Sequence, residues 1–295
     1  MNKLSAKMPS ATSGYIFVLF AATCWGLIGP LAKFILAEGI SPQEISFWRS
    51  VFGGAFFLIH AIVCNLLHTT FKEKIIFSLF GVVGVAILFT VYQIAVKESG
   101  AALAAILLYT APIWVIIFSA LFFNEPFTKI KTTSVFIALL GVVLLSSSGN
   151  ASNTQISITG IVCGLLAGFC YSLHYVFTKK YLSKHSPITL YAYCLPFGAL
   201  TLFPVTEFAN KTNSAWAILF FLGFLSTYLA YFSYCKGMMR LNATKVAVIA
   251  NLEPVIASLL AWWWWGELFP PLGLLGASLI FFAIFLIILK EPKKT

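Results

Sequence analysis

The chain has 295 residues, of which 60% are hydrophobic and only 9% are charged, and its mean hydropathy is +0.94. A water-soluble domain with that balance could not keep its surface polar, so the composition excludes an aqueous globular fold and makes the bilayer the solvent. The formal net charge of +10 does not form a patch; Lys and Arg punctuate alternate breaks between apolar runs, and no nucleic-acid partner is expected.

Crossing about 30 Å of hydrocarbon takes roughly 20 mostly apolar residues. On that ruler a tail at 1–13, carrying Lys3 and Lys7, precedes spans at 14–37, 44–66, 73–95, 101–123 and 132–148. A link at 149–156 leads to spans at 157–178, 188–206, 214–236, 244–265 and 271–289, and a second tail follows at 290–295. The expected fold class is all-α and integral to the membrane, with about ten transmembrane helices. The first apolar run is too long for a signal-peptide core and is expected to stay attached. Six cysteines fall within the apolar stretches, where they are expected to act as small buried hydrophobes, with no redox or metal motif among them.

The breaks on one side hold Lys72, Lys74, Lys129, Lys131, Lys179, Lys180, Lys184, Lys236 and Arg240, whereas the opposite breaks offer Lys97 and Lys211. By the positive-inside rule the rich side is cytoplasmic, which puts both termini inside a bacterial-type inner membrane.

The chain also repeats itself. Ser41-Pro42 and Phe52-Gly53 return as Ser186-Pro187 and Phe197-Gly198, Ser13-Gly14 corresponds to Thr159-Gly160, and Trp25 and Lys33 then correspond to Tyr171 and Lys179. Tyr92, Pro112 and Glu125 return, in register, as Tyr234, Pro254 and Glu267. Residues 14–148 and 157–289 thus read as two copies of five spans, and an odd number of spans inverts the second copy in the membrane. Two inverted halves create inward-open and outward-open states of related energy, with a site between them near the midplane.

Two kinds of motif mark these copies: Ala21-Ala22-Thr23-Cys24-Trp25-Gly26 in the first span, and Ala111-Pro112 with Asn124-Glu125-Pro126, matched by Glu253-Pro254-Val255 with Gly266-Glu267. They resemble the drug/metabolite transporter superfamily, in its ten-helix EamA-type branch, and the resemblance covers essentially the whole chain. It implies a 5+5 inverted-repeat fold and solute transport, often export of amino acids or related metabolites, without ATP hydrolysis. The first copy departs from the pattern, with Ala111 where the second has Glu253.

Glu253 is the most informative residue, because a carboxylate near the bilayer centre costs at least ~2.5 kcal/mol and must face protein or water. It either binds a substrate ammonium or a coupling proton, or it packs between helices. Pro254 frees a carbonyl near Ala250, so this level of the helix is expected to be distorted, with the Asn251 amide beside it. Arg49, preceded by Trp48, either grips a substrate carboxylate or snorkels to headgroups. Lys33 and Lys179 are expected to snorkel. His174, between Tyr171 and Tyr175, offers a titratable ring or a satisfied core imidazole. Tyr92, Gln93, Tyr109, Tyr231 and Tyr234 supply further polar groups at membrane depth, able to line an aromatic-walled cavity or simply to pack. Trp262 to Trp265 cover a whole helix circumference and are expected to form an interfacial belt. Gly160, Gly164 and Gly168 share one face, suited to close helix contact or sliding.

Other classes fit less well. There is no Asp for a paired-aspartate protease, no metal-ligand cluster, and no nucleotide-binding loop. Gly276-Ala277-Ser278 lacks a base for a serine nucleophile, and no charged ring or carbonyl filter marks a channel. The expectation is a secondary active transporter of small organic solutes, not an enzyme, without metal or cofactor. Its partners are a small-molecule substrate, a coupling proton or exchanged solute, and membrane lipids. A lipid flippase of the same fold and an intramembrane enzyme are the rival readings.

Overall fold

The computed structural model describes residues 11–147, 157–266 and 270–289. Among these, ten helices are long and apolar enough to cross a membrane: α1 Ala11–Leu36, α2 Pro42–Val63, α3 Phe71–Ser99, α4 Ala101–Phe123, α5 Lys129–Ser147, α6 Ile158–Tyr181, α7 Pro187–Val205, α8 Asn213–Met238, α9 Ala243–Trp265 and α10 Pro271–Leu289. Ala11 and Leu289 lie at one face, called here the terminal face, and the connections at 37–41 and 206–212 lie at the opposite face. Large apolar side chains such as Ile59, Phe136, Leu200 and Phe281 are exposed on the outer surface, as a hydrocarbon solvent requires. Cys24, Cys170, Cys194 and Cys235 are buried, but Cys64 is exposed and Cys163 half-buried, so the burial expected of all six holds for four. Cys64 escapes because it caps the end of α2 rather than lying within it.

The two copies start their second helices alike. Ser41 and Ser186 cap α2 and α7, their side chains accepting the N–H of Glu44 and Thr189, and Pro42 and Pro187 occupy the first turn, where a missing donor costs nothing. Packing is mirrored as well: α3 runs along α6 as α8 runs along α1, α4 leans on α6 as α9 leans on α1, and α7 meets α3 as α2 meets α8. The most extensive pair joins the last helices of the copies, α5 and α10. There the backbones touch, since a Cβ on Gly276 would fall 2.5 Å from the Gly141 carbonyl oxygen and one on Gly141 would fall 2.7 Å from that of Gly276. Gly160, Gly164 and Gly168 serve the same purpose, seating α6 against Ser99, Leu107 and Thr110.

Each copy clasps the other through a loop. At the opposite face Glu44 accepts the Ala209 N–H at 3.1 Å and pairs with Lys211, whose ammonium lies 5.6 Å from the Trp48 ring and 5.1 Å from that of Trp216. At the terminal face Thr189, at the place of Glu44, donates to the Leu66 carbonyl at 2.9 Å, and Tyr193, at the place of Trp48, donates to that of Leu67 at 2.9 Å. At the positions of Glu44 and Trp48 the counterpart uses neutral hydroxyls, and its acidic group comes from elsewhere, Glu73 meeting His185 at 2.9 Å beside the contact of Lys74 with the Tyr193 ring.

Five helices are irregular at membrane depth. Helix α4 breaks at Tyr109–Thr110, between Ala101–Leu108 and Ala111–Phe123, and α9 breaks at Asn251–Leu252, between Ala243–Ala250 and Glu253–Trp265. Pro112 and Pro254, each second in its new segment, cannot donate back across the break. The distortion expected near Ala250 is therefore present, one residue on, and α4 carries its counterpart. The new segments end in left-handed caps at Asn124 (φ 51°) and Gly266 (φ 64°). Helices α3 and α8 carry π-helical turns at Val82–Ile87 and Leu222–Leu229, which the sequence analysis does not anticipate. Helix α1 also turns at Leu27, whereas α6 is continuous.

Trp262, Trp263 and Trp264 are exposed, as a belt requires, while Trp264 and Trp265 rest against Phe34 at 6.3 and 4.4 Å. Glu267 lies outside the described residues.

Gly276→Val is expected to destabilise the protein by about 1–3 kcal/mol through overpacking, whereas Leu275→Val on the exposed side is close to neutral. Thermal unfolding of detergent-purified variants measures the difference. Lys211→Met, which leaves Glu44 buried without its counter-charge, is expected to cost about 3–5 kcal/mol in the same assay.

Candidate functional site

A cavity of about 460 Å³ lies between the two copies. It runs from the level of the helix breaks to Leu36 and Pro42, at the helix ends of the opposite face, and is walled by α1, α2, α3, α4, α6, α8 and α9. The breaks explain its place: Glu253 and Pro254 start the second segment of α9 at the cavity wall, and Ala257 and Ser258 follow one turn later. As the first residue of a helical segment, the Glu253 carboxylate stands at the end that favours negative charge. The Tyr109 phenol, at the break of α4, interacts with that carboxylate.

Arg49, on α2, is 7% exposed and faces the same cavity, with Ser46 one turn before it. Its guanidinium donates to the Ser226 carbonyl at 3.5 Å and lies 6.0 Å from the Phe89 ring. Ser226 lies in the π turn of α8, where the wider ring puts carbonyls out of register with the α-helical ladder and leaves them for other donors. The Ser226 hydroxyl in turn donates to the Cys24 carbonyl at 2.7 Å, tying α8 to α1. The π turn of α3 is used in the same way. His174 Nε2 lies 2.6 Å from the Gly84 carbonyl oxygen and must carry the proton there, since a carbonyl only accepts. Among the described residues, no close ion pair joins Arg49 to Glu253; the two interact at longer range, and both side chains face the cavity.

The candidate residues divide by position. Glu253, Arg49, Tyr92, Gln93, Tyr109 and Tyr171 line the cavity, together with Tyr231. His174 stands behind Tyr231, the rings parallel at 5.8 Å. Tyr175, Tyr234 and Asn251 are buried on the terminal side, at 2%, 1% and 3% exposure. Trp48 does not reach the cavity; its indole N–H donates to Glu44 at 3.2 Å and its ring meets Trp216 at 4.6 Å in the clasp. Trp25, Ser46, Phe89 and Ser258 line the cavity and are not among the candidates from sequence. Helical spacing was the available signal for two of them, since Ser46 precedes Arg49 by three residues and Ser258 follows Pro254 by four.

The cavity is shut towards the terminal face. Trp25 and Tyr234 meet at 5.6 Å, Tyr175 and Tyr234 at 5.5 Å, and the second segment of α4 crosses the first segment of α9. Below them the Lys179 ammonium donates to the carbonyls of Met238 and Leu241 at 3.0 and 2.6 Å. Lys179 therefore does not snorkel; the end of α8 offers it carbonyls at the pole that favours a cation. Lys33, its counterpart, lies 4.7 Å over the Trp265 ring at the open mouth. Arg49 also points inward rather than to headgroups.

Comparison with known proteins agrees with this architecture. The model of the EamA-like transporter family matches twice, at residues 12–147 and 158–289. The uncharacterized transporter YdfC of Bacillus subtilis is 28% identical over 244 residues, covering 81% of this chain and 79% of the relative. The uncharacterized inner membrane transporter YicL of Salmonella typhimurium is 25% identical over 297 residues, covering 97% and 99%. A crystal structure sharing 18% identity superposes with a TM-score of 0.82 over 95% of this chain and 98% of its own, a likeness of fold.

Ser46→Cys is expected to react with a membrane-impermeant maleimide added at the opposite face and to stay unreactive in its absence from that side. Gel-shift labelling of sealed vesicles in both orientations, in a Cys64→Ser background, checks this.

Proposed function

The chain belongs to the EamA-like transporter family, and we propose on that premise that it carries a small organic solute, an amino acid or related metabolite, across a bacterial-type inner membrane as a secondary active transporter. The observation that carries this reading is one cavity holding one carboxylate and one guanidinium, open to a single face. Its volume falls within the roughly 300–1,000 Å³ common for small-molecule sites. Glu253 receives the solute's ammonium or a coupling proton, and Arg49 its carboxylate in bidentate geometry. Tyr92, Tyr109, Tyr171 and Gln93 add hydroxyls, an amide and aromatic faces for the remainder of the solute.

The basic breaks support a cytoplasmic terminal face with both chain ends inside, an orientation in which the cavity faces outward. The mirrored packing of residues 14–148 and 157–289, with the midplane breaks between them, supports alternating access driven by a proton gradient or by solute exchange. The cavity leads to helix ends at Leu36 and Pro42. That favours a water-soluble cargo over a lipid headgroup entering sideways. An enzymatic role for Gly276-Ala277-Ser278 gains no support, since the exposed Ser278 hydroxyl donates back to Leu274 at 2.8 Å on the outer face of α10.

The test is counterflow of radiolabelled neutral, basic and aromatic amino acids in proteoliposomes. Glu253→Gln and Arg49→Gln, each removing a charge-assisted contact, are expected to reduce exchange by about 10- to 100-fold, and Tyr92→Phe by less. Exchange by Glu253→Gln at the wild-type rate would remove the carboxylate from the site; no exchange of any amino acid by the wild type would overturn the substrate class.

A further inference from the structure

The repeat that relates the two copies also relates the cavity wall to a second set of residues. Carried across by the correspondences already given, Ile28 and Gly29 of the open cavity fall on His174 and Tyr175, Ser46 on Tyr191, Tyr92 on Tyr234 and Tyr109 on Asn251. All five of the second set are buried, at 3% exposure or less, on the shut side. Four of them carry a buried polar atom that is poorly satisfied in the protein: His174 Nδ1 and Asn251 Nδ2 have no hydrogen-bond partner, and Tyr191 Oη and Tyr234 Oη have only loose neighbours, the Cys235 thiol and the Thr178 hydroxyl. The four aromatic members are linked by ring contacts, with Tyr191 and Tyr231 stacked at 4.7 Å, Tyr231 on His174, Tyr171 between His174 and Tyr175, and Tyr175 against Tyr234. A buried polar group without a good partner keeps its desolvation cost uncompensated, so a cluster of them raises the energy of this arrangement unless another state wets it.

We propose that His174, Tyr175, Tyr191, Tyr234 and Asn251 form the wall of a second vestibule, collapsed here, through which the solute reaches the terminal face. It opens when the present cavity shuts, and Lys179 must leave the carbonyls of Met238 and Leu241 for it to do so. The vestibule differs chemically from the open cavity. The positions corresponding to Arg49 and Glu253 are Cys194 and Ala111, so its own wall offers hydroxyls, an imidazole and an amide but no fixed charge. A polar solute passes it through neutral hydrogen bonds and is held less tightly there than between Arg49 and Glu253. This inference rests on the alternating-access reading.

A native residue probes it. Cys235 corresponds to cavity-lining Gln93 and is fully buried here. The experiment treats wild-type protein in sealed vesicles of both orientations with membrane-impermeant N-ethylmaleimide analogues and maps the modified cysteines by mass spectrometry. The expected result is modification of Cys235 from the terminal face alone, falling at least about tenfold once Ser258→Cys has been loaded with a bulky maleimide from the opposite face, which props the present cavity open. A second variant avoids new cysteines in the vestibule: Tyr234→Phe deletes a buried, poorly satisfied hydroxyl, favours the collapsed arrangement, and should lower Cys235 modification while raising that of Ser258→Cys. A purely structural Tyr234 would move neither. Cys235 unmodified from both faces, or modified from the opposite face, overturns the proposal alone. Modification from the terminal face whether or not Ser258→Cys is loaded overturns it together with alternating access.

Discussion

Hydrocarbon offers a peptide group nothing to bond to, and the rest of this structure depends on how the backbone meets that constraint. A helix can be interrupted at membrane depth only where protein or a polar cavity receives the groups it releases. Here the broken helices α4 and α9 wall one cavity, and α3 and α8 reach its wall just after their π turns, at Leu88 and Tyr231. The irregularities also position the chemistry. The Ser226 carbonyl holds Arg49, the Gly84 carbonyl holds His174 behind Tyr231, and the restart of α9 puts Glu253 at a helix N-terminus.

The ten spans were legible because span length is set by bilayer thickness and the chain contains little else. The repeat was legible through Pro112 and Pro254, whose missing N–H leaves the same mark in each copy. Direction around a helix was not. Trp48 and Arg49 are neighbours in sequence, yet successive residues point about 100° apart on a helix, and one joins the clasp while the other faces the cavity. The π turns left no signal, because they need one extra residue of no particular type. Tyr109 and Asn251 illustrate a different limit: they are equivalent in sequence and occupy equivalent breaks, but the conformation is not symmetric, so only Tyr109 reaches the open cavity. Lys179 looked like a snorkelling residue because sequence cannot show that the end of α8 lies beside it.

The mirrored halves are alike in shape and unlike in charge. Glu44 in one copy is Thr189 in the other, and Glu253 is Ala111. Each substitution leaves the backbone geometry intact, since Ser41 and Ser186 cap their helices in the same way and both breaks keep their proline. The repeat therefore works as a mechanical template on which an acidic group at a given position can stand in one copy and be missing from the other. Two states of related shape need not have equal affinity or equal stability.

The glycine contact between α5 and α10 bears on how such a molecule moves. Backbones this close resist sliding, and since this is also the most extensive helix pair, the proposed rocking of the halves would have its pivot here. The first segment of α9 leans on both members of the pair, so the adjacent break and Glu253 sit close to the axle. Displacement grows with the length of the lever arm. Under the proposed rocking, the rim at Leu36 and Pro42 would travel far while the carboxylate would stay almost still, a fixed post between two doors.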